Sequence, residues 1–247
     1  MPNKKNPVSK LTLLLALTAV LATSLAFPAT AQNDRATVRM ILDNIDRKDT
    51  DVDEVAEFSR EGRVIKLNLN RRGLSSKPIT EFPTEILRLT ALRGLLMKGN
   101  SLKGIPLEIG NLSDLVELDF ANNIDLVTLP PTIGNLANLQ KLDIRFCGLS
   151  SLPFSFGNLK SLEMLQLWGN QFTELPASVT EMAALKDLHL NNNKLTTLPV
   201  EITNLTNLTY IDTQRNAICS VPPQVEAWLN RLERRWKDHQ MCDNVKH

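Results

Sequence analysis

Residues 157–176 read GNLKSLEMLQLWGNQFTELP, and residues 180–199 repeat the phrase as TEMAALKDLHLNNNKLTTLP. Leu162, Leu165, Leu167, Asn170 and Phe172 of the first stretch align with Leu185, Leu188, Leu190, Asn193 and Leu195 of the second. Outward from this pair, an apolar residue precedes proline about every 23 residues: Phe82-Pro83, Ile105-Pro106, Leu129-Pro130, Leu152-Pro153, Leu175-Pro176, Leu198-Pro199 and Val221-Pro222. Three residues after each proline comes a second apolar column, Ile86, Ile109, Ile133, Phe156, Val179, Ile202 and Val225. Columns that agree across units, and not only within one, are the signature of an internal repeat.

Each unit fits L-x-x-L-x-L-x-x-N-x-L, and seven such units run from Val64 to about Val225. In these residues the chain resembles the leucine-rich repeat family. The resemblance implies an α/β solenoid, a horseshoe of about seven coils with parallel strands on its concave face, capped by an N-terminal and a C-terminal helix. Physics supports the columns independently. The L-x-L core alternates with period two, as in a strand with one buried face. One unit cannot bury its leucines alone, so neighbouring coils must stack. Asn100, Asn123, Asn170, Asn193 and Asn216 form a column where the chain leaves the strand, and a buried amide there can satisfy backbone groups of adjacent coils. Cys147 occupies that column in the fourth unit and reads as a buried structural thiol, while Arg72 occupies it in the first. The first unit has about five extra residues around SSKPITEF, and the third has one at NNIDL; both are expected in loops, outside the strand register.

The ends read differently. Lys4, Lys5 and Lys10 precede an apolar run from Leu11 to Leu25, and Ala29-Thr30-Ala31 gives a small-x-small cleavage pattern. The run is shorter than the ~20 residues of a spanning helix. The expected organisation is a signal peptide at 1–31, an N-terminal helical cap at 32–63, repeats at 64–226, and a C-terminal cap helix and tail at 227–247. Val38, Ile41, Leu42 and Ile45 recur at helical spacing, with Asp34 as the expected N-cap. Val225, Trp228, Leu229, Leu232 and Trp236 form the apolar stripe of the other cap. In an exported protein Cys219 and Cys242 are expected to form a disulfide clamping that cap.

Without the leader the chain has 25 basic against 27 acidic residues, which gives no global attraction to nucleic acid or anionic membrane. Asp49, Asp51 and Asp53 sit at calcium-loop spacing, but Glu54 replaces the glycine and Arg60 the closing glutamate, so a solvated turn is expected. His239, Cys242 and His247 match no closed metal site. No metal or cofactor is expected. Asn111, Asn204 and Asn207 open N-x-[ST] sequons, which the repeat phrase itself generates.

The x positions beside the inward leucines point to the opposite face and align between coils at ~4.8 Å. The columns read Asn68, Leu96, Asp119, Asp143, Gln166, His189, Asp212; Asn70, Lys98, Ala121, Arg145, Trp168, Asn191, Gln214; Arg71, Gly99, Asn122, Phe146, Gly169, Asn192, Arg215; and Lys66, Gly94, Glu117, Lys141, Met164, Asp187, Tyr210. Trp168 is therefore a surface residue, placed among Phe146, Arg145, Met164, His189 and Tyr210. Aromatics beside an arginine and flanked by acids have the composition of a binding hot spot. The candidate ligand face is Trp168, Phe146, Arg145, Met164, His189, Asp143, Asp119, Gln166, Tyr210 and Asp212. No nucleophile–base phrase such as G-x-S-x-G occurs, and a charged, solvated face accounts for Asp119 beside Asp143, so no enzyme is expected. The reading is an exported protein that binds another protein through its concave face, with no nucleic-acid partner and no stable membrane insertion. A polysaccharide stacked on the aromatics is the alternative, and an adhesion or scaffold protein without a tight ligand is the third.

Overall fold

The computed structural model describes residues 29–242 except 72, 74 and 75. Residues 1–28 of the expected leader, Arg72 and His247 lie outside the described residues.

Eight strands form one sheet in sequence order: β1 (Ala56–Phe58), β2 (Val64–Asn68), β3 (Gly94–Leu96), β4 (Glu117–Asp119), β5 (Lys141–Asp143), β6 (Met164–Gln166), β7 (Asp187–His189) and β8 (Tyr210–Asp212). From β2 to β8 all pairings are parallel. The register aligns Leu67, Leu95, Leu118, Leu142, Leu165, Leu188 and Ile211, which form a buried column. Each such side chain contributes ~1.5–3 kcal/mol when removed from water, and none could be buried without the coil beside it. The extra residue at NNIDL does not disturb the β4–β5 pairing.

The return limbs follow from the proline column. Pro83, Pro106, Pro130, Pro153, Pro176 and Pro199 stand extended, each directly before a short 3-10 turn: Thr84–Arg88, Leu107–Asn111, Pro131–Asn135, Phe154–Asn158, Ala177–Glu181 and Val200–Asn204. Proline fixes φ there and lacks a donor that the turn would leave unpaired. Ile86, Ile109, Ile133, Phe156, Val179 and Ile202 are fully buried within these turns.

The asparagines make a common set of bonds. In Asn100, Asn123, Asn170, Asn193 and Asn216 the side-chain oxygen accepts from the backbone N–H 21 residues earlier. The amide donates to a carbonyl of the preceding coil and to the carbonyl three residues before it. Cys147 cannot repeat this. Its thiol donates to Phe120 O at 3.4 Å, and the Leu126 N–H, which an asparagine would have served, instead donates to Asn123 O at 3.0 Å. The inserted residue in the third unit supplies the turn that makes this exchange, so the insertion and the cysteine compensate one another.

Both caps depart from the sequence reading. The N-terminal helix runs Ala29–Asn44, which puts Asp34 inside it and not at its N-cap. Asp34 is buried and its Oδ2 accepts from Arg63 Nε at 2.8 Å and from the Val64 N–H at 2.9 Å, tying the helix to the first coil. The cap also contributes β1, antiparallel to β2, which the apolar pattern did not mark as a strand. Asp51 caps the 3-10 turn Val52–Glu54 and Asp53 pairs with Arg35. At the other end the helix spans Pro223–Leu232, so the stripe does not continue helically to Trp236; that residue is buried on the following turn, its indole N–H donating to Asn230 Oδ1 at 3.1 Å.

The C-terminal cap imitates another coil. Gln240 Oε1 accepts from the Ile218 N–H at 3.1 Å, and Nε2 donates to Thr213 O at 3.0 Å and Trp236 O at 2.7 Å. These are the three bonds of the asparagine column, each reached from one residue further on by a side chain one carbon longer. Thr213 stands where earlier coils bury an apolar residue; its hydroxyl and N–H both donate to Glu233 Oε2. Cys219 and Cys242 are joined in a disulfide with Cα atoms 5.5 Å apart, and Cys147 is a buried free thiol.

Candidate functional site

The strand register places Asn68, Leu96, Asp119, Asp143, Gln166, His189 and Asp212 in one outward column, and Lys66, Gly94, Glu117, Lys141, Met164, Asp187 and Tyr210 in another. Just beyond each strand from β3 to β8 the chain turns through the left-handed region. Gly99, Asn122, Phe146, Gly169, Asn192 and Arg215 all have φ between 49° and 74°. Glycine and asparagine tolerate that conformation. Phe146, at 49°, is a bulky residue in a position that costs a side chain on the order of 1–2 kcal/mol.

Phe146 packs edge-on against Trp168, with ring centroids 4.3 Å apart and planes inclined at 63°. The ring can approach only because residue 169 is glycine: a Cβ there would lie 2.4 Å from Phe146 Cδ1. Arg145 completes the group, its Cζ 5.3 Å from the Trp168 ring centroid. Its Nε lies 3.3 Å from Asp143 Oδ2 and its Nη1 donates to Gln166 Oε1 at 3.1 Å. The Trp168 indole N–H is 3.4 Å from the same Gln166 oxygen, and Gln166 Nε2 is 3.7 Å from Met164 Sδ. Trp168, Phe146, Arg145, Asp143, Gln166 and Met164 thus form one connected cluster on the fourth and fifth coils. Phe146 remains 38% exposed. His189 and Tyr210 form a second pair on the sixth and seventh, with centroids 5.0 Å apart.

The acids are not simply solvated. Asp119 Oδ1 accepts from the Ala121 N–H, Asp143 Oδ1 from Arg145 and Asp212 Oδ1 from Gln214, as Asn68 does from Asn70. Each closes the bend at the end of its strand, an Asx-type role. Burial raises Asp143 to about 6, and the neighbouring Asp119 adds to the effect against the opposing pull of Arg145. Asp119 is raised as well, again chiefly by burial. Burial lowers His189, against the pull of Asp212 and Asp187, and raises Tyr210. The Cys147 thiol is pushed up to about 12 by burial, which makes it a poor nucleophile. Among the described residues no group of three or more His, Cys, Asp or Glu is placed to hold a metal ion.

Sequence reasoning located these aromatics but not the support beneath them. Gly169 and the Asx bonds were missed, although alternating Gly and Asn in the third column is a signal for left-handed backbone.

Residues 132–234 match the leucine-rich repeat region family. The mouse leucine-rich repeat serine/threonine-protein kinase 1 is 32% identical over 97 residues, which are 39% of this chain and 4% of that protein. A solved leucine-rich repeat protein of Leptospira interrogans is 37% identical, with a TM-score of 0.63 over 70% of this chain and 43% of its own. The Arabidopsis receptor kinase HAESA, solved with the peptide hormone IDA and a co-receptor, is 28% identical, with a TM-score of 0.60 over 72% of this chain and 30% of its own. An internalin of Listeria monocytogenes, 23% identical with a TM-score of 0.55 over 70% of this chain and 48% of its own, shares the fold. The chain spans less than half the length of each of these relatives.

Proposed function

The chain is a leucine-rich repeat protein, and on that premise we propose that it is an exported, non-enzymatic protein that binds another protein through its concave face. The observation that carries this reading is the cluster of Trp168, Phe146 and Arg145. Its parts are held before any ligand arrives: Arg145 is fixed by Asp143 and Gln166, and Phe146 is seated on Gly169. An ordered aromatic–arginine group avoids much of the side-chain entropy that binding otherwise costs, and such groups dominate protein interfaces energetically. Export is supported by the leader-like sequence at 1–31 and by the Cys219–Cys242 disulfide, a bond of oxidising compartments. The HAESA complex supports a peptide or protein as the partner class. Polysaccharide stacking is less well served, because Arg145 already lies over the Trp168 ring.

The test is a paired pull-down from native extracellular extract with the wild type and a Trp168→Ala, Phe146→Ala double variant, after both show the same thermal unfolding. The expected result is a partner captured by the wild type and lost by the variant. Capture of the same partner by both would move the site away from this patch.

A further inference from the structure

We infer that the last two coils of the concave face bind an arginine side chain of the partner, over the rings of His189 and Tyr210 and between the carboxylates of Asp187 and Asp212. This rests on the protein-binding reading above and gives its partner a chemical requirement.

The strands β7 and β8 set these four residues in a square. The register pairs Asp187 with Tyr210 and His189 with Asp212, so the rings occupy one diagonal and the carboxylates the other. Parity turns all four away from the core, where Leu188 and Ile211 are buried between them. The rings meet across their diagonal, with centroids 5.0 Å apart and planes inclined at 42°. Tyr210 is still 44% exposed. Strand spacing and rise put the two acids ~8 Å apart along the other diagonal. A group lying over the rings is therefore within reach of both carboxylates.

The chain's own cations near the square are held by other partners. Arg145 is engaged by Asp143 and Gln166, and Lys186 by Glu163. In its column Lys141 lies beside Glu117 and is separated from Asp187 by Met164. Among the described residues neither Asp187 nor Asp212 forms an ion pair, with Arg215 or with any other base. Asp212 closes its bend with Oδ1 alone. Besides burial, the influences on the Tyr210 hydroxyl are the charges of Asp212, Glu233 and Asp187, all negative, and they raise it further. Burial lowers His189 against Asp212 and Asp187, with Arg145 adding to the lowering, so the imidazole is uncharged near neutral pH.

The fourth and fifth coils show which cation such a group takes. There Arg145 lies over the Trp168 ring, its Cζ 5.3 Å from the centroid, with Asp143 and Gln166 on its nitrogens. The sixth and seventh coils repeat the aromatic surface and the acids, but carry Asn191 and Gln214 in the column of Arg145. A planar guanidinium stacks on rings and presents donors along more than one edge, which matches carboxylates on opposite sides. An acidic side chain would be repelled there.

A random peptide library selected on the immobilised full chain tests this. Enriched peptides are then titrated by NMR against the wild type and an Asp187→Asn, Asp212→Asn double variant matched for thermal unfolding. Asparagine keeps an oxygen for the Gln214 N–H, and Tyr210 is the chain's single tyrosine, so its ring signals report this position alone. The expected result is enrichment of arginine, peptide-induced shifts of the Tyr210 ring, and about a tenfold loss of affinity in the double variant, ~1.4 kcal/mol. No enrichment, enrichment of peptides without arginine, unshifted Tyr210 signals, or unchanged affinity overturns the inference. The double variant also enters the pull-down described above. Capture retained by it but lost by Trp168→Ala, Phe146→Ala overturns the arginine site and leaves the concave-face reading intact; capture retained by both overturns both.

Discussion

The Phe146 ring rests on Gly169, whose missing side chain is what lets the ring reach Trp168. Gly169 also has φ of 71°, so an added methyl group meets both a clash and an unfavourable backbone. Gly169→Ala is expected to lower stability by roughly 1–3 kcal/mol and to separate the two rings. Urea unfolding reads the first, and the loss of aromatic ring-current shifts at Phe146 in NMR spectra reads the second. If the shifts stay while stability falls, Phe146 is not held in place by the glycine.

The asparagine column predicts unequal costs within one structural position. Asn170→Ala leaves the Leu149 N–H and the Ile144 C=O without their buried partner, at a cost on the order of 3 kcal/mol. Cys147→Ala should cost about 1 kcal/mol or less, because the Leu126 N–H is already served by Asn123 O. Chemical denaturation of the two single variants makes the comparison. Equal losses would show that the inserted residue does not compensate for the cysteine.

Oxidised protein should expose no reactive thiol while folded and release one, Cys147, on unfolding. Replacing Cys219 and Cys242 together by serine should cost about 3 kcal/mol through loss of loop closure. Thiol titration with and without denaturant, beside thermal unfolding, measures both.

The Asp119–Asp143 pair gives a pH dependence of definite sign. A carboxyl held near 6 in the folded protein but near 3.8 in the unfolded chain binds more protons when folded across that interval. Stability from this group therefore rises as pH falls from about 6 towards about 4, by up to roughly 2 kcal/mol. Asp143→Asn removes the titration while keeping an oxygen for the Arg145 N–H, so its stability should change less with acidification than that of the wild type. Parallel unfolding curves for the two proteins at every pH would refute the assignment.

Most of the architecture was legible because stacking makes each column a repeated experiment: one leucine among seven can vary, but Leu67 to Ile211 cannot all be coincidence. The strand faces followed from parity alone, which placed Trp168 beside Arg145 and Phe146. What escaped were bonds whose geometry has no period. Asp34 looks like an N-cap in sequence because the helix is expected to begin beside it, yet the helix starts at Ala29 and the carboxylate serves the first coil instead. The Asx bonds of Asp119 and Asp143 were hidden because a surface acid and a bend-closing acid are the same letter. Gln240 broke the spacing by one residue, and only its longer side chain restores the contact.

That last substitution separates how the molecule ends from how long it is. The C-terminal cap meets the stack through Gln240, His239 and Met241, which address Ile218, Thr213, Arg215 and Asn216 by backbone groups that every earlier coil also offers. Thr213 with Glu233 and the Cys219–Cys242 disulfide are the contacts tied to particular side chains of the last coil. Whole units could be duplicated or deleted upstream of Thr213 without altering what the cap recognises. The span of the concave surface is then free to change by recombination between repeats while the same cap seals the stack.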